Sequence, residues 1–302
     1  MSGLSDNTRG AVLMTVAMAA FVLNDTCMKL VTADLPLFQT IFLRGVLATA
    51  GIALVALRTG GLRLALVRAD ARLVGLRCAG EVLATGAFLI ALRHMPLANL
   101  SAIMQSLPLF ITLAAALFLG ERVGWRRMSA ILIGFAGVML VIRPGTEGFD
   151  VWALVGLFSV LSVVLRDLST RRLSHRAPTG AVAFLSSAAV ALSAGAASAI
   201  EGWEVPAPGA AVLVVTAAGF LIVGYITVIM ATRTGDVGVV APFRYTTLVF
   251  AILAGAAVWG QFPDLLTLAG AAIIVASGIY TFQRERALAR RAPPPPAPPG
   301  AA

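Results

Sequence analysis

Ten apolar stretches, each about the length a helix needs to cross some 30 Å of hydrocarbon, constrain this chain more than anything else in it. They fall near 11–32, 37–57, 73–93, 97–119, 128–143, 152–172, 179–200, 210–232, 237–258 and 265–282. All are rich in Ala, Gly, Leu and Val, and none alternates apolar with polar at period two, so helices are expected rather than an outer-membrane barrel. Composition agrees: only 12% of the residues are charged, against about 25% in a soluble domain. The first stretch is too long for a signal-peptide core and carries Asp25 and Lys29, so it is read as a retained helix. Cys27 and Cys78 lie inside spans and are read as small apolar residues.

The net charge of +9 raises the question of nucleic acid, and the placement of the bases answers it. With the N-terminus inside, the inner segments hold sixteen of the 23 Lys and Arg, among them Arg9, Arg58, Arg63, Arg68, Arg72, Arg126, Arg127, Arg171, Arg172, Arg176 and Arg233. The outer loops hold only Arg93 and Arg143. This bias puts both termini in the cytoplasm. It is the pattern of a chain in a bilayer with anionic headgroups, not of a nucleic-acid binder.

The helices form one five-helix unit written twice. An offset of 142 places Asp25 on Asp167, Lys29 on Arg171, Pro36 on Pro178, and Phe42-Leu43 on Phe184-Leu185. At an offset of 140, Phe118-Leu119-Gly120-Glu121 falls on Val258-Trp259-Gly260-Gln261. Eight residues separate Ser129 from Gly137 and Gly270 from Gly278, spacings of small residues that let helices approach closely. Five is odd, so sequential copies are antiparallel. Each loop has accordingly changed sign: four Arg at 58–72 stand against Glu201 and Glu204, and three Arg at 120–127 against Asp264. The expected organisation is a cytoplasmic N-terminus (1–10), a first repeat (11–143), a second inverted repeat (144–284) and a disordered, Pro/Ala-rich cytoplasmic tail (285–302). Inverted repeats in a membrane point to a transporter with its substrate site near the midplane, between the halves.

Charged groups at membrane depth face protein or a water-filled cavity. Asp25 and Arg44 lie at matching depth, each about 10 Å from the outer ends of helices 1 and 2. Glu81, Asp167 and Arg244 lie roughly 8–12 Å from the inner ends of helices 3, 6 and 9. Asp25 with Lys29, Arg77 with Glu81, and Asp167 with Arg171 are i,i+4 neighbours, so each acid is read either as locally neutralised or as a gate or ligand group. Arg44 and Arg244 have no acid at i±3 or i±4 and need a partner on another helix or a substrate. Gln105 and Tyr245, related by the repeat, suit a polar, net-neutral ligand at the midplane or a bond between helices. Asn24, Ser106, Tyr225 and Phe243 are candidates to line the same volume, the aromatics for apolar contact and the tyrosine for a polar handle. Pro108 and Pro242 should kink helices 4 and 9. His94 and His175 are read as solvated loop residues. The stretch from Thr232 to Asp236 reads as a tight turn. No metal-ligand cluster, cofactor loop or Walker loop stands in the sequence, so neither an enzyme nor an ATP-driven pump is expected.

These residues resemble a known group. Two inverted five-helix repeats, Arg44 in helix 2, Ala91-Leu92 before the helix 3–4 turn, Pro108 eleven residues before Leu119-Gly120-Glu121, and glycine-spaced helices 5 and 10 resemble EamA-type members of the drug/metabolite transporter superfamily. The pattern is most similar to the bacterial aromatic amino-acid exporters of the YddG type. The second copy departs from it, with Gly260-Gln261 for Gly-Glu and Leu248 opposite Pro108. The resemblance implies alternating access, a cavity lined by helices 1–4 and 6–9, and peripheral helices 5 and 10. The expectation is an exporter of amino acids, including aromatic ones, and related metabolites, needing no cofactor or partner chain. Arg44 or Arg244 would engage a carboxylate, and Asp25, Glu81 or Asp167 an ammonium. The alternatives are a proton-coupled cation or drug exporter, for which the arginines without acid neighbours are a poor match, and a phosphate-ester exchanger, which would want more than the single lysine, Lys29.

Overall fold

The computed structural model describes residues 5–58, 60–120, 124–146, 149–174 and 176–289. Glu121, His175 and residues 290–302 of the Pro/Ala-rich tail, each singled out in the sequence, lie outside them, while residues 285–289, expected in the tail, continue the last helix. The described residues form ten long helices and no strand. They are α1 (Asp6–Asp34), α2 (Leu37–Arg58), α3 (Ala71–His94), α4 (Leu97–Leu119), α5 (Trp125–Ile142), α6 (Val151–Arg171), α7 (Thr179–Glu201), α8 (Pro208–Thr234), α9 (237–259) and α10 (Leu265–Ala289).

The helix ends fall near those of the expected spans, with three extensions, one of them the end of α10, which runs to Ala289 rather than 282. The first helix starts at Asp6, because the Ser5 hydroxyl accepts the Thr8 N–H at 3.3 Å and caps it. A seven-residue 3-10 helix, Leu64–Asp70, leads into α3. Gly120 and Gly260, equivalent in the repeat, end α4 and α9 at φ 69° and 64°. This left-handed cap favours glycine and explains why the residue persists where the acid beside it does not.

Both α4 and α9 are broken at equivalent positions. In α4, Leu97–Met104 ends at Gln105 and a second segment, Leu107–Leu119, starts with Pro108 in its first turn. In α9, Val237–Val240 passes into a 3-10 turn, Ala241–Tyr245, that contains Pro242, before the helix resumes at Thr246. Each proline removes the N–H that would bond the carbonyl four residues back.

The packing has the symmetry of an inverted repeat. The most extensive contacts join α1 to α8, α3 to α6, α2 to α7 and α5 to α10, with α4 against α9. Every pair takes one helix from each half. Exchanging the halves converts α1/α8 into α6/α3 and returns the other three pairs to themselves. The two halves are therefore interlocked along a pseudo-twofold axis rather than set side by side.

In a bilayer, close packing rather than exclusion of water holds helices together. At the α5/α10 crossing, a Cβ on Gly137 would stand 2.8 Å from the Gly270 carbonyl oxygen. At the α3/α6 crossing, one on Gly80 would stand 2.8 Å from the Arg166 amide nitrogen. Large apolar side chains such as Leu117, Phe118, Leu132, Leu192 and Leu253 point outward, as they should in a multi-pass membrane protein.

Candidate functional site

The intramembrane charges gather into two groups, one on α1 and α2, the other on α3 and α6. In the first, the Asn24 amide donates to Asp25 Oδ1 at 2.8 Å, and Asn24 Oδ1 accepts from Arg44 Nη1 at 3.3 Å. Asn24 and Arg44 are buried, at 2% and 8% exposure, and Arg44 Nε has no hydrogen-bond partner. Asp25, Glu81 and Tyr225 lie within electrostatic range of the Arg44 guanidinium.

In the second group Arg166 is the hub. Its Nε donates to Asp167 Oδ1 at 2.8 Å, and its Nη1 reaches the two Glu81 oxygens at 3.4 and 3.5 Å. Arg77 Nη2 adds a looser contact to Glu81 at 3.9 Å and bonds Thr170 through Nη1. Arg244, from the 3-10 turn of α9, lies within electrostatic range of Asp167 and Arg166. Its side chain makes no hydrogen bond or ion pair to a described residue, and the residue is exposed.

Tyr225 shows what separates the two groups. It sits on α8 within electrostatic range of Glu81, Arg166, Arg44 and Arg77, residues of three other helices. Its ring packs edge-on against Phe21 at 5.7 Å, yet 41% of its surface is exposed. A side chain surrounded by charges from inside the bundle and still open to solvent lines a cleft. Phe243 and Arg244 open to solvent from α9 in the same way. At the midplane Gln105 Nε2 donates to the Tyr245 carbonyl at 3.4 Å, so the two helix breaks are joined.

The face opposite the N-terminus is closed. Met28, Leu92, Met95, Leu97, Leu100 and Ile103 are buried there in one apolar cluster. Lys29 Nζ donates to the Met95 carbonyl and lies 5.3 Å from the Trp259 ring centre, tying α1, the α3–α4 turn and the end of α9. The Glu201 carboxylate accepts the Leu37 and Phe38 N–H groups at 3.0 and 2.7 Å, and Gln39 exchanges two bonds with the Glu204 backbone. The exposed side chains of Tyr225, Phe243 and Arg244 lie on the other side of the midplane, toward the face that carries the N-terminus.

Of the residues selected from the sequence, Asn24, Asp25 and Arg44 meet in the first group, Glu81 and Asp167 in the second with Arg244 within electrostatic range, Tyr225 lies within range of both, Gln105 and Tyr245 are joined at the midplane, and Phe243 is exposed beside Arg244. Ser106 is not: it is fully buried, and its hydroxyl donates to the Ile103 carbonyl at 2.6 Å, completing the break in α4. Two of the three expected i,i+4 pairs do not form. Lys29 is drawn to the carbonyl at the closed face rather than to Asp25, and Asp167 is bonded by Arg166 rather than by Arg171. Only Arg77 and Glu81 pair as spaced, and loosely. His94 is exposed, as expected, and stacks on Trp152 with ring centres 3.7 Å apart. The residue missed by the sequence reading is Arg166. Adjacent positions on a helix diverge by about 100°, so an i,i+1 bond is not anticipated, but the arginine side chain is long enough to turn back.

A polar cleft sealed at one face, between two inverted halves of a ten-helix bundle, defines a membrane transporter. The chain matches the model of the EamA-like transporter family over residues 8–143, its first five helices. It is 28% identical over 279 residues to the pseudopaline exporter CntI of Pseudomonas aeruginosa, covering 92% of this chain and 97% of that one. It is 31% identical over 206 residues to a riboflavin transporter of Rhizobium johnstonii, covering 66% of each chain. It is 27% identical over 200 residues to an S-adenosylmethionine uptake transporter of Rickettsia felis, covering 65% of this chain and 67% of that one. A solved crystal structure, 22% identical, shares the fold with a TM-score of 0.61 over 93% of this chain and 99% of the other.

Proposed function

We propose that the protein is a secondary transporter of the bacterial inner membrane that exports amino acids, including aromatic ones, and related metabolites by alternating access. The observation that carries this reading is the alternation of charge around the cleft. Carboxylates (Asp25, Glu81, Asp167) and two arginines without an ion-pair partner among the described residues (Arg44, Arg244) stand about Tyr225, with Phe243 and Tyr245 flanking Arg244 in the chain. An α-amino acid offers the complement: a carboxylate for a guanidinium, an ammonium for a carboxylate, and a side chain for the aromatic rings. The bias of arginines toward one face supports cytoplasmic termini. In that orientation the open cleft faces the cytoplasm, the side from which an exporter loads. The full-length relative named as an exporter supports the same direction.

Counterflow in proteoliposomes tests the proposal. Purified protein should drive saturable uptake of labelled phenylalanine into vesicles preloaded with unlabelled amino acids, without ATP. Absence of saturable flux for every amino acid tried overturns it.

The three intramembrane carboxylates favour one other reading, a proton-coupled exporter of cations. That reading requires Asp25→Asn, Glu81→Gln or Asp167→Asn to abolish transport while Arg44→Gln and Arg244→Gln are tolerated.

A further inference from the structure

The cleft holds more positive than negative charge, and the excess is not in one place. Four arginines (Arg44, Arg77, Arg166, Arg244) face three carboxylates (Asp25, Glu81, Asp167). Arg77 and Arg166 are spent on Glu81 and Asp167. Among the described residues, Arg44 and Arg244 have no carboxylate at ion-pair distance. Arg44 is buried with Nε unbonded and only a neutral amide at Nη1. Leaving part of a buried guanidinium unsatisfied is costly unless something fills the place.

Neither base belongs to the repeated scaffold. Arg44 falls opposite Ser186 in the other half, and Arg244 opposite Met104. Their positions are nevertheless nearly mirror-related in depth. Arg44 stands seven residues into α2 from the closed face, and Arg244 seven residues into α9 from the open face. At about 1.5 to 2 Å per residue, each lies some 10–14 Å from its end of a core about 30 Å thick. That leaves the two α-carbons roughly 2–10 Å apart along the membrane normal. The two bases also stand on different helices and beside different acids, Asp25 near Arg44 and Asp167 near Arg244, which sets them up to receive separate carboxylates.

We infer that the substrate is an amino-acid derivative carrying two separated carboxylates, with its α-amino-acid end at Arg44 and Asp25 and its second carboxylate at Arg244. This inference rests on the amino-acid reading above and narrows it. Asp25, held beside Arg44 by Asn24, supplies the anion for the ammonium at that end. Tyr225, Phe243 and Tyr245 contact the connecting atoms. The cleft's net positive charge is then matched by a ligand of net charge −1, whereas a zwitterion would leave Arg244 unanswered.

Three probes separate the possibilities: γ-glutamylphenylalanine, its C-terminal amide, and free phenylalanine. Peptide and amide share the α-amino-acid end and the ring and differ only in the distal charge. Competition against labelled-substrate counterflow should give the free acid an inhibition constant at least tenfold below that of the amide. Arg244→Gln should bring that ratio to within twofold of one, Arg244→Lys should restore part of it, and Arg44→Gln should weaken both peptides while keeping the ratio. Equal inhibition by acid and amide, or a ratio unchanged by Arg244→Gln, overturns the inference. Transport of phenylalanine with no inhibition by either peptide also overturns it and leaves the amino-acid reading standing. Absence of flux for phenylalanine and both peptides overturns the two together.

Discussion

Asn24 and Arg166 stand at equivalent places in the two repeats, and each donates a 2.8 Å hydrogen bond to the aspartate that follows it, Asp25 or Asp167. The shared bond fixes both acids in the same way, and the difference between the donors separates their roles. Arg166 brings a charge that also binds Glu81, so the α3/α6 group is internally balanced. Asn24 brings none, and passes on only a carbonyl to Arg44. The α1/α2 group therefore keeps a guanidinium with capacity to spare.

That relay predicts the effect of Asn24→Ala. It removes one bond to Asp25 and the single bond to Arg44, while leaving both charges in place. Hydrogen bonds to charged groups contribute about 1.5–3 kcal/mol, so KM for counterflow should rise by roughly 10- to 150-fold. A KM within twofold of the parent protein would mean that Asn24 does not position the pair.

Arg166→Ala should act on stability first. It leaves Glu81 and Asp167 in the bundle without their shared counter-charge, a loss of about 3–5 kcal/mol for breaking a buried pair. Thermal unfolding in detergent should show a melting point lower by on the order of 10 °C. Adding Glu81→Gln and Asp167→Asn to the variant should recover much of the loss. No recovery would show that the arginine acts through packing alone.

Helix α3 contains its own control for the close approach to α6. A Cβ on Gly80 would meet the Arg166 amide nitrogen at 2.8 Å and the Ser162 carbonyl at 2.9 Å, whereas Gly75, five residues earlier, has nothing within 4 Å. Gly80→Ala should destabilise by about 1–3 kcal/mol, and Gly75→Ala should leave the melting point unchanged or raise it slightly. Equal effects of the two would contradict the packing described for this interface.

At the closed face, Asp264 accepts the Thr267 N–H at 2.8 Å and pairs with Arg143, capping α10. The Thr267 bond and then Arg143 hold its carboxyl below the ordinary value of 3.8. A lowered folded pKa contributes stability that is present above the ordinary value and is lost as pH falls through the lowered one. Melting points of the parent and Asp264→Asn should therefore differ at pH 7 and converge below about pH 4. The carboxylate is largely exposed, so the difference should be small, and a constant gap down to pH 3 would contradict the assignment.

The sequence made the scaffold readable because two of its signals are forced by the membrane. A span must be about 20 apolar residues long, so the helix ends could be placed closely. An odd number of helices per copy must reverse the second copy, so the loop charges had to change sign. The equivalence of Asp25 and Asp167 was legible for the same reason. Their partners were not, because side-chain length and competing acceptors decide them. Lys29 is within reach of Asp25 by helix spacing, but the unsatisfied Met95 carbonyl at the end of α3 lies nearer the interface and takes it. Arg166 turns back on its neighbour instead of serving only residues a turn away. Ser106 was placed in the cavity on depth alone, and the break in α4 rotates it into the packed interior.

Protection of a single cysteine at position 225 tests the central claim most directly, because it reports occupancy of the cleft and the side from which it opens. In a Cys27→Ala, Cys78→Ala background, Tyr225→Cys should react with a membrane-impermeant maleimide in inside-out vesicles and far more slowly in right-side-out ones. An amino-acid substrate should slow the reaction saturably, at concentrations matching its KM. Labelling that is equally fast from both sides, or unaffected by every transported amino acid, would contradict an amino-acid site in a cleft open to the cytoplasm.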